Sequence, residues 1–352
     1  MNKLIIIGNG FDLAHGLKTS YSDFILDYLN NVISQYYLKR SYSDNLIEFH
    51  QTGNTYVKPT IKTFNEFIEF TKLPGIAYKS ISNFLNSIIQ QGKINNWVDL
   101  ESEYYSFLVK FYKNYENNDS KYFDLILGSV ISLNNNFETI KRNLIEYLRK
   151  VEYSSENKNS EISNKLNFIT SGYEFENMVK RSGNNLLVLN FNYTSVINLY
   201  EEELSNAKSH QIINIHGNLV DANNPIIFGY GDEMDPYYEK IENLKSNEFL
   251  NNIKSFGYFK TSNYQDFLRF INNGEFEVFI MGHSCGISDR ILLNSIFENE
   301  KCTGIKIYYY KKSETENDYF VKTQEISRHF SPKNKNLMRK LVVPFNQCEP
   351  LT

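Results

Sequence analysis

Six short apolar runs, several closed by glycine or a polar residue, constrain this chain more than any other feature. They are LIIIG from Leu4, LLVLN from Leu186, IINIHG from Ile212, IIFG from Ile226, VFIMG from Val278 and IKIYYY from Ile305. Their apolar residues fall on successive rather than alternate positions, which is how strands buried on both faces read. The fold expected is therefore α/β, with a Rossmann-like, mostly parallel sheet. In such sheets ligands sit beyond the carboxyl ends of the strands.

Between the first and second runs no convincing strand appears, and the apolar residues fall at helical spacing. Trp97, Leu100, Tyr104, Leu108 and Phe111 advance in steps of three and four, which draws one stripe down a helix face. Similar stripes run from Phe24 to Leu38, Phe64 to Phe70 and Phe123 to Leu148. Residues 21–182 thus read as a large helical insertion after the first strand, with Ser154 to Lys165 as an exposed connection inside it. Residues 1–20 and 183–330 make the nucleotide-binding core, 231–274 a lid within that core, and 331–352 a C-terminal tail.

Composition removes several classes of function. With 37 basic and 41 acidic residues the net charge is −4, so no overall electrostatic footprint for duplex nucleic acid or an anionic membrane exists. Cys285, Cys302 and Cys348 are odd in number and lack C-x-x-C spacing, so neither a disulfide framework nor a metal site is expected. The apolar run before Gly8 is too short for a signal peptide, and no segment reaches about 18 uninterrupted apolar residues. A cytoplasmic protein is expected.

Four strand ends carry the residues that can do chemistry. In IIIGNGFDLAHG, the loop Gly8-Asn9-Gly10-Phe11 follows the first strand and opens a helix, where glycines and free amides favour a phosphate. Leu13 stands where the dinucleotide fingerprint wants a third glycine, so the match is partial. Asp12 either bonds a ribose hydroxyl or caps the helix, and His15 either touches phosphate or ribose or is an exposed helical residue. Ser20 with Asp23 forms a capping-box-like start to the next helix.

LLVLNFNYTS places Asn190 and Asn192 at a strand end, where two carboxamides offer donors and acceptors to a ribose diol, a base edge or a water. In IINIHGN, His216 is the general-base candidate, with Gly217 leaving room for a substrate. In VFIMGHSCGISD, Gly282, His283 and Ser284 form a loop fit for ribose or phosphate, and Asp289 either caps the helix that follows or orients that loop. G-H-S-C-G also fits a nucleophile elbow, and Ser284, Asp289 and His329 follow the serine–acid–histidine order of that hydrolase fold.

Taken together, IIIGNGFDLAHGL with YSDF, then NWVDLE, LNFNYT, IHG with IIFG, and MGHS followed by SD, resemble the AbiH family of bacterial phage abortive-infection proteins. The resemblance runs from the first residues to about Tyr310. It implies an antiviral-defence role in which an infected cell sacrifices itself. The same skeleton is similar to the sirtuin-like NAD-binding domains of other antiphage effectors. That likeness implies phosphates at Gly8 and Gly10, a catalytic asparagine at Asn192, a catalytic histidine at His216 and a ribose loop at Gly282 to Ser284. Thr194 stands where those domains carry an aspartate.

The resemblance thus implies an effector that binds NAD or a related nucleotide and hydrolyses its nicotinamide glycosidic bond, with no metal. Asn192 would hold ribose hydroxyls or water, and His216 would draw off a proton. Trp97, Asp99 and Glu101 either face this pocket or belong to a helix start capped by Asn96. The partners implied are a nucleotide ligand, a phage-derived trigger and a second copy of the chain, with neither membrane nor nucleic acid. Two other classes stay open: a non-catalytic nucleotide or phage-component sensor, and a hydrolase acting on esters or nucleic acid through Ser284.

Overall fold

The structure is a computed structural model that describes residues 1–53, 58–95, 99–117, 122–171 and 184–352. Nine strands occur among them: β1 Asn2–Ile7, β2 Ser41–Ser43, β3 Ile47–Gln51, β4 Ile76–Ser80, β5 Asn185–Asn190, β6 Ser209–Asn214, β7 Phe276–Met281, β8 Cys302–Tyr309 and β9 Glu349–Pro350. Six of them form one sheet in the order β6-β5-β1-β7-β8-β9, and every pairing within it is parallel. Numbered along the chain within that sheet, the order is 3-2-1-4-5-6. This is the doubly wound, Rossmann-like order, in which the strand order reverses between β1 and β7.

The alternating sides of each strand explain why these runs are apolar throughout. Leu4, Ile6, Leu187, Leu189, Val278 and Ile280 pack on one side against Phe267, Leu292, Leu293 and Ile296. Ile5, Ile7, Leu186, Val188, Phe279 and Met281 pack on the other against Ile162, Leu166, Ile169 and Tyr200. Period two in a strand and helices on both faces favour apolar side chains at these positions, and the buried charges Lys3 of β1 and Glu277 of β7 are paired with each other.

Several expectations need correction. IIFG is not a strand: Ile226, Ile227 and Phe228 are buried, but the segment is irregular, tied to the end of β6 by Ile227 N–H to the His216 carbonyl at 2.8 Å. The stretch Ser154 to Lys165 is an exposed connection only in its first half, where Ser154, Ser155 and Glu156 are exposed. Its second half starts helix Ser160–Thr170, which buries Ile162 and Leu166 under the sheet. The insertion holds an antiparallel sheet, β2-β3-β4, beside its helices. In β3 only Ile47 and Phe49 alternate inward, too brief a pattern to register as a strand in the sequence.

The insertion's helical stripes otherwise hold, except that Leu38 at the end of the first is exposed. Helix Tyr21–Lys39 starts at Ser20, whose side chain accepts from Asp23 N–H, and it buries Phe24, Tyr28, Val32 and Tyr36. Helix Leu100–Glu116 buries Leu100, Tyr104 and Leu108; its cap is Asp99, which accepts from Glu101 and Ser102 N–H. Asn96 and Trp97 lie outside the described residues. Helix Phe123–Leu148 completes this core, which also takes in Phe228, Tyr230 and Phe249 from the part of the chain after β6.

Residues 231–274 are anchored at Phe249, Phe267 and Ile271, all buried, and they contribute Lys254 to the wall of the site described next. Residues 331–352 carry helix Lys335–Leu341 and β9, which extends the sheet edge beyond β8. No helix among the described residues is long and apolar enough to cross a membrane.

Candidate active site

A cavity of about 560 Å³ lies at the carboxyl ends of the parallel strands. Its wall is drawn from the loops after β1, β5, β6, β7 and β8, with additions from the helical insertion. The opening turn supplies Gly8, Asn9, Gly10 and Asp12; the turn after β5 supplies Asn192; and the end of β6 supplies His216. Gly282, His283, Ser284 and Asp289 follow β7. These sequence-derived residues, far apart in the chain, meet where the strand order reverses, which is where doubly wound sheets take ligands.

Three others do not reach the cavity wall. Phe11 is core, in contact with His15 and Tyr200. His15 is buried, neither exposed nor facing the cavity; its Nδ1 meets the Phe11 carbonyl and its Nε2 the Tyr200 hydroxyl, both at 2.6 Å. Asn190 shapes the turn after β5. It donates to the Thr194 carbonyl and to Asn214 Oδ1, and accepts from Asn192 N–H.

The opening glycines serve the meeting of two loops. Gly10 N–H donates to the Gly282 carbonyl at 2.8 Å, and Phe11 N–H donates to the Gly8 carbonyl at 2.8 Å, so two amides of the phosphate-loop candidate are already engaged. Gly282 has φ +76, and a Cβ there would lie 2.1 Å from Phe11 N. Gly217 likewise has φ +89 and faces the Pro225 carbonyl at 2.4 Å from an added Cβ, so the glycine after His216 is a backbone requirement rather than room for substrate.

Asp12 is no helix cap: Gly8 holds that position, and the Asp12 carboxylate accepts from Asn192 Nδ2 at 2.8 Å and Thr194 Oγ1 at 2.6 Å. Asn192 Nδ2 also donates to the Gly8 carbonyl at 3.0 Å. With both amide hydrogens committed, Asn192 offers a ligand its Oδ1 as an acceptor. Burial pushes the Asp12 pKa up to about 6, against the pull of the Thr194 and Asn192 hydrogen bonds.

At the other side of the cavity lies a buried charge cluster that centres on Asp289. This carboxylate does not cap helix Arg290–Phe297; its Oδ1 lies 3.3 Å from His216 Nε2 and 2.7 Å from Lys254 Nζ, and its Oδ2 lies 3.6 Å from His283 Nε2. Lys254 Nζ also reaches Glu101 Oε2 at 2.8 Å. Burial works against the charge on Asp289, but Lys254 and His216 more than offset it and hold its pKa well below the ordinary carboxylate range. Burial opposes the charge on Lys254 too, and Asp289 with Glu101 raises its pKa above the ordinary lysine value. For Glu101, burial dominates and moves the pKa up to about 7, against Lys254.

The surroundings of both cavity histidines favour the neutral form. Burial, reinforced by Lys254, pushes His216 down to about 4 against the pull of Asp289, and burial lowers His283 as well. His283 Nδ1 accepts from Cys285 N–H at 2.9 Å, so its proton is on Nε2. His216 Nε2 faces a carboxylate and, at 3.3 Å, the Tyr258 hydroxyl. A carboxylate accepts only, so Nε2 carries the proton and Nδ1 keeps the lone pair of a base.

No serine–acid–histidine triad forms. Ser284 is exposed and its Oγ accepts from Gly286 N–H at 3.4 Å, whereas His329 is fully buried with Nε2 at 2.8 Å from the Cys285 carbonyl. The sequence reading missed Lys254 and Tyr258. Neither ends a strand nor belongs to a motif.

The family model described as bacteriophage abortive infection AbiH matches residues 4–311. The chain belongs to the AbiH family. A search of curated proteins finds no match to it. The AbiH span runs from within β1 to just beyond β8, so it contains the wall residues that follow β1, β5, β6 and β7, while Asp318, Val321, Lys322 and Glu325 after β8 lie beyond it.

Proposed function

We propose that this AbiH protein is an antiphage abortive-infection effector that binds NAD or a related nucleotide at the sirtuin-like carboxyl edge of its sheet and hydrolyses the nicotinamide glycosidic bond. The observation that carries this reading is that Asn192 and an Asp289-oriented His216 share one cavity with the opening glycine turn. A volume of about 560 Å³ falls in the range of small-molecule sites. Asp12, Asp99, Glu101 and Asp289 make the wall rich in carboxylates, which suits the cationic pyridinium end of the dinucleotide.

In the step proposed, the C1′–N bond breaks and neutral nicotinamide leaves with the bonding pair, so it needs no acid. Water adds to C1′, and His216 Nδ1 takes its proton. The products are nicotinamide, ADP-ribose and a proton. Asn192 Oδ1 accepts from a ribose hydroxyl or from the water, and Ser284 with its loop contacts ribose. Placement in a preformed pocket supplies much of the acceleration.

A sensor that binds without turnover is the second reading, favoured by the engaged amides of Gly10 and Phe11. The test is incubation of purified protein with NAD and quantification of nicotinamide and ADP-ribose by chromatography. Equimolar release of both supports hydrolysis. Saturable NAD binding without either product supports the sensor and refutes the enzyme.

A further inference from the structure

Lys254 is the most deeply placed cation of the cavity, yet the proposed reaction gives it no role. It is 2% exposed, its ammonium lies between Glu101 on an insertion helix and Asp289 on the loop after β7, and its own N–H donates to the Tyr230 carbonyl at 2.9 Å. Glu101 is fixed in turn by Gly229 N–H at 3.2 Å from Oε1. One ammonium therefore joins the helical insertion to the carboxylate that orients His216.

We propose that Lys254 is a positioning residue that fixes both the orientation and the charge state of the His216–Asp289 pair, with Glu101 tying that pair to the docked insertion. The proposal rests on His216 acting as the base in the reading above. Buried ion pairs contribute little net stability compared with apolar packing of the same volume, so stability alone does not account for this cluster. Its geometry bears on the base instead.

With Lys254 in place, Asp289 stays ionised and accepts from His216 Nε2–H, which keeps the lone pair on Nδ1. The same positive charge disfavours a second proton on the imidazole. The titratable and charged groups facing His216 are Asp289, His283, Lys254, Tyr258 and Tyr193. Removing Lys254 would leave Asp289 unbalanced, and the pair would then draw a proton onto His216. Removing only the Glu101 charge leaves the lysine's influence on His216 intact or stronger.

The test is an NMR titration of the full chain, with His216 identified by the signal lost in His216→Ala. In Lys254→Met the His216 pKa is expected to rise by roughly one unit or more. In Glu101→Gln it is expected to stay at or below the parent value, and in Lys254→Arg close to it. A merely structural lysine would loosen the site in either neutral variant and move both titrations upward, which would overturn the proposal. If Lys254→Met does not fold, Glu101→Gln decides by the same criterion. Nicotinamide release is measured on the same samples. Shifts as expected with no release from any protein would refute the NAD reading while leaving the role of Lys254 on His216 standing.

Discussion

Asp289 Oδ1 lies 3.3 Å from His216 Nε2, a carboxylate directed at the ring nitrogen opposite the one that would act on substrate. This is the relation by which an acid selects a tautomer and holds an imidazole in place. Asp289→Asn is expected to reduce kcat for NAD hydrolysis by roughly 10²–10⁴-fold with KM little changed. Steady-state kinetics together with circular dichroism checks this, and a kcat within a few-fold of the parent would contradict the assignment.

Gly282 is the tightest point between the two ligand-facing loops. With φ +76 and Phe11 N 2.1 Å from a would-be Cβ, Gly282→Ala is expected to destabilise the fold by about 1–3 kcal/mol and to weaken NAD binding. Denaturant melts and calorimetric titration read the two effects. Unchanged stability would show that the loops do not need this contact.

Acid sensitivity has one source remote from the cavity wall. Burial pushes His329 down to about 4, so the unfolded chain takes up a proton first as pH falls. The stability it contributes is complete above the unfolded value of 6.5 and is lost as pH drops towards 4. Against His329→Gln, the parent protein is expected to lose about 3 kcal/mol of relative stability over that window. Parallel stability–pH curves for the two proteins would count against a neutral buried His329.

Ser284 separates the two hydrolytic chemistries. As a ribose contact, its loss in Ser284→Ala raises KM for NAD several-fold and leaves kcat nearly intact, whereas loss of a serine nucleophile would abolish turnover. Initial-rate measurements over a range of NAD concentrations distinguish them.

The sheet was legible because each central strand is apolar on both faces, as Leu4 to Ile7 and Val278 to Met281 show. IIFG failed on the same rule, since a buried apolar run bonded irregularly to His216 and Tyr193 looks no different in sequence. The strand-end residues Asn192, His216 and Asp289 could be found because a parallel sheet gathers its carboxyl ends. Lys254 could not. Its partners Glu101 and Asp289 lie 153 and 35 positions away, and one lysine among 37 basic residues carries no local mark of burial. The glycines misled in part, because Gly8, Gly10 and Gly217 are explained by backbone packing before any ligand is considered.

The measurement that bears most directly on the central claim is nicotinamide release from NAD by the parent protein, Asn192→Ala and His216→Ala, side by side and each shown to be folded. Release by the parent and a loss of at least about 10²-fold in both variants are expected. Equal release by all three would contradict that claim.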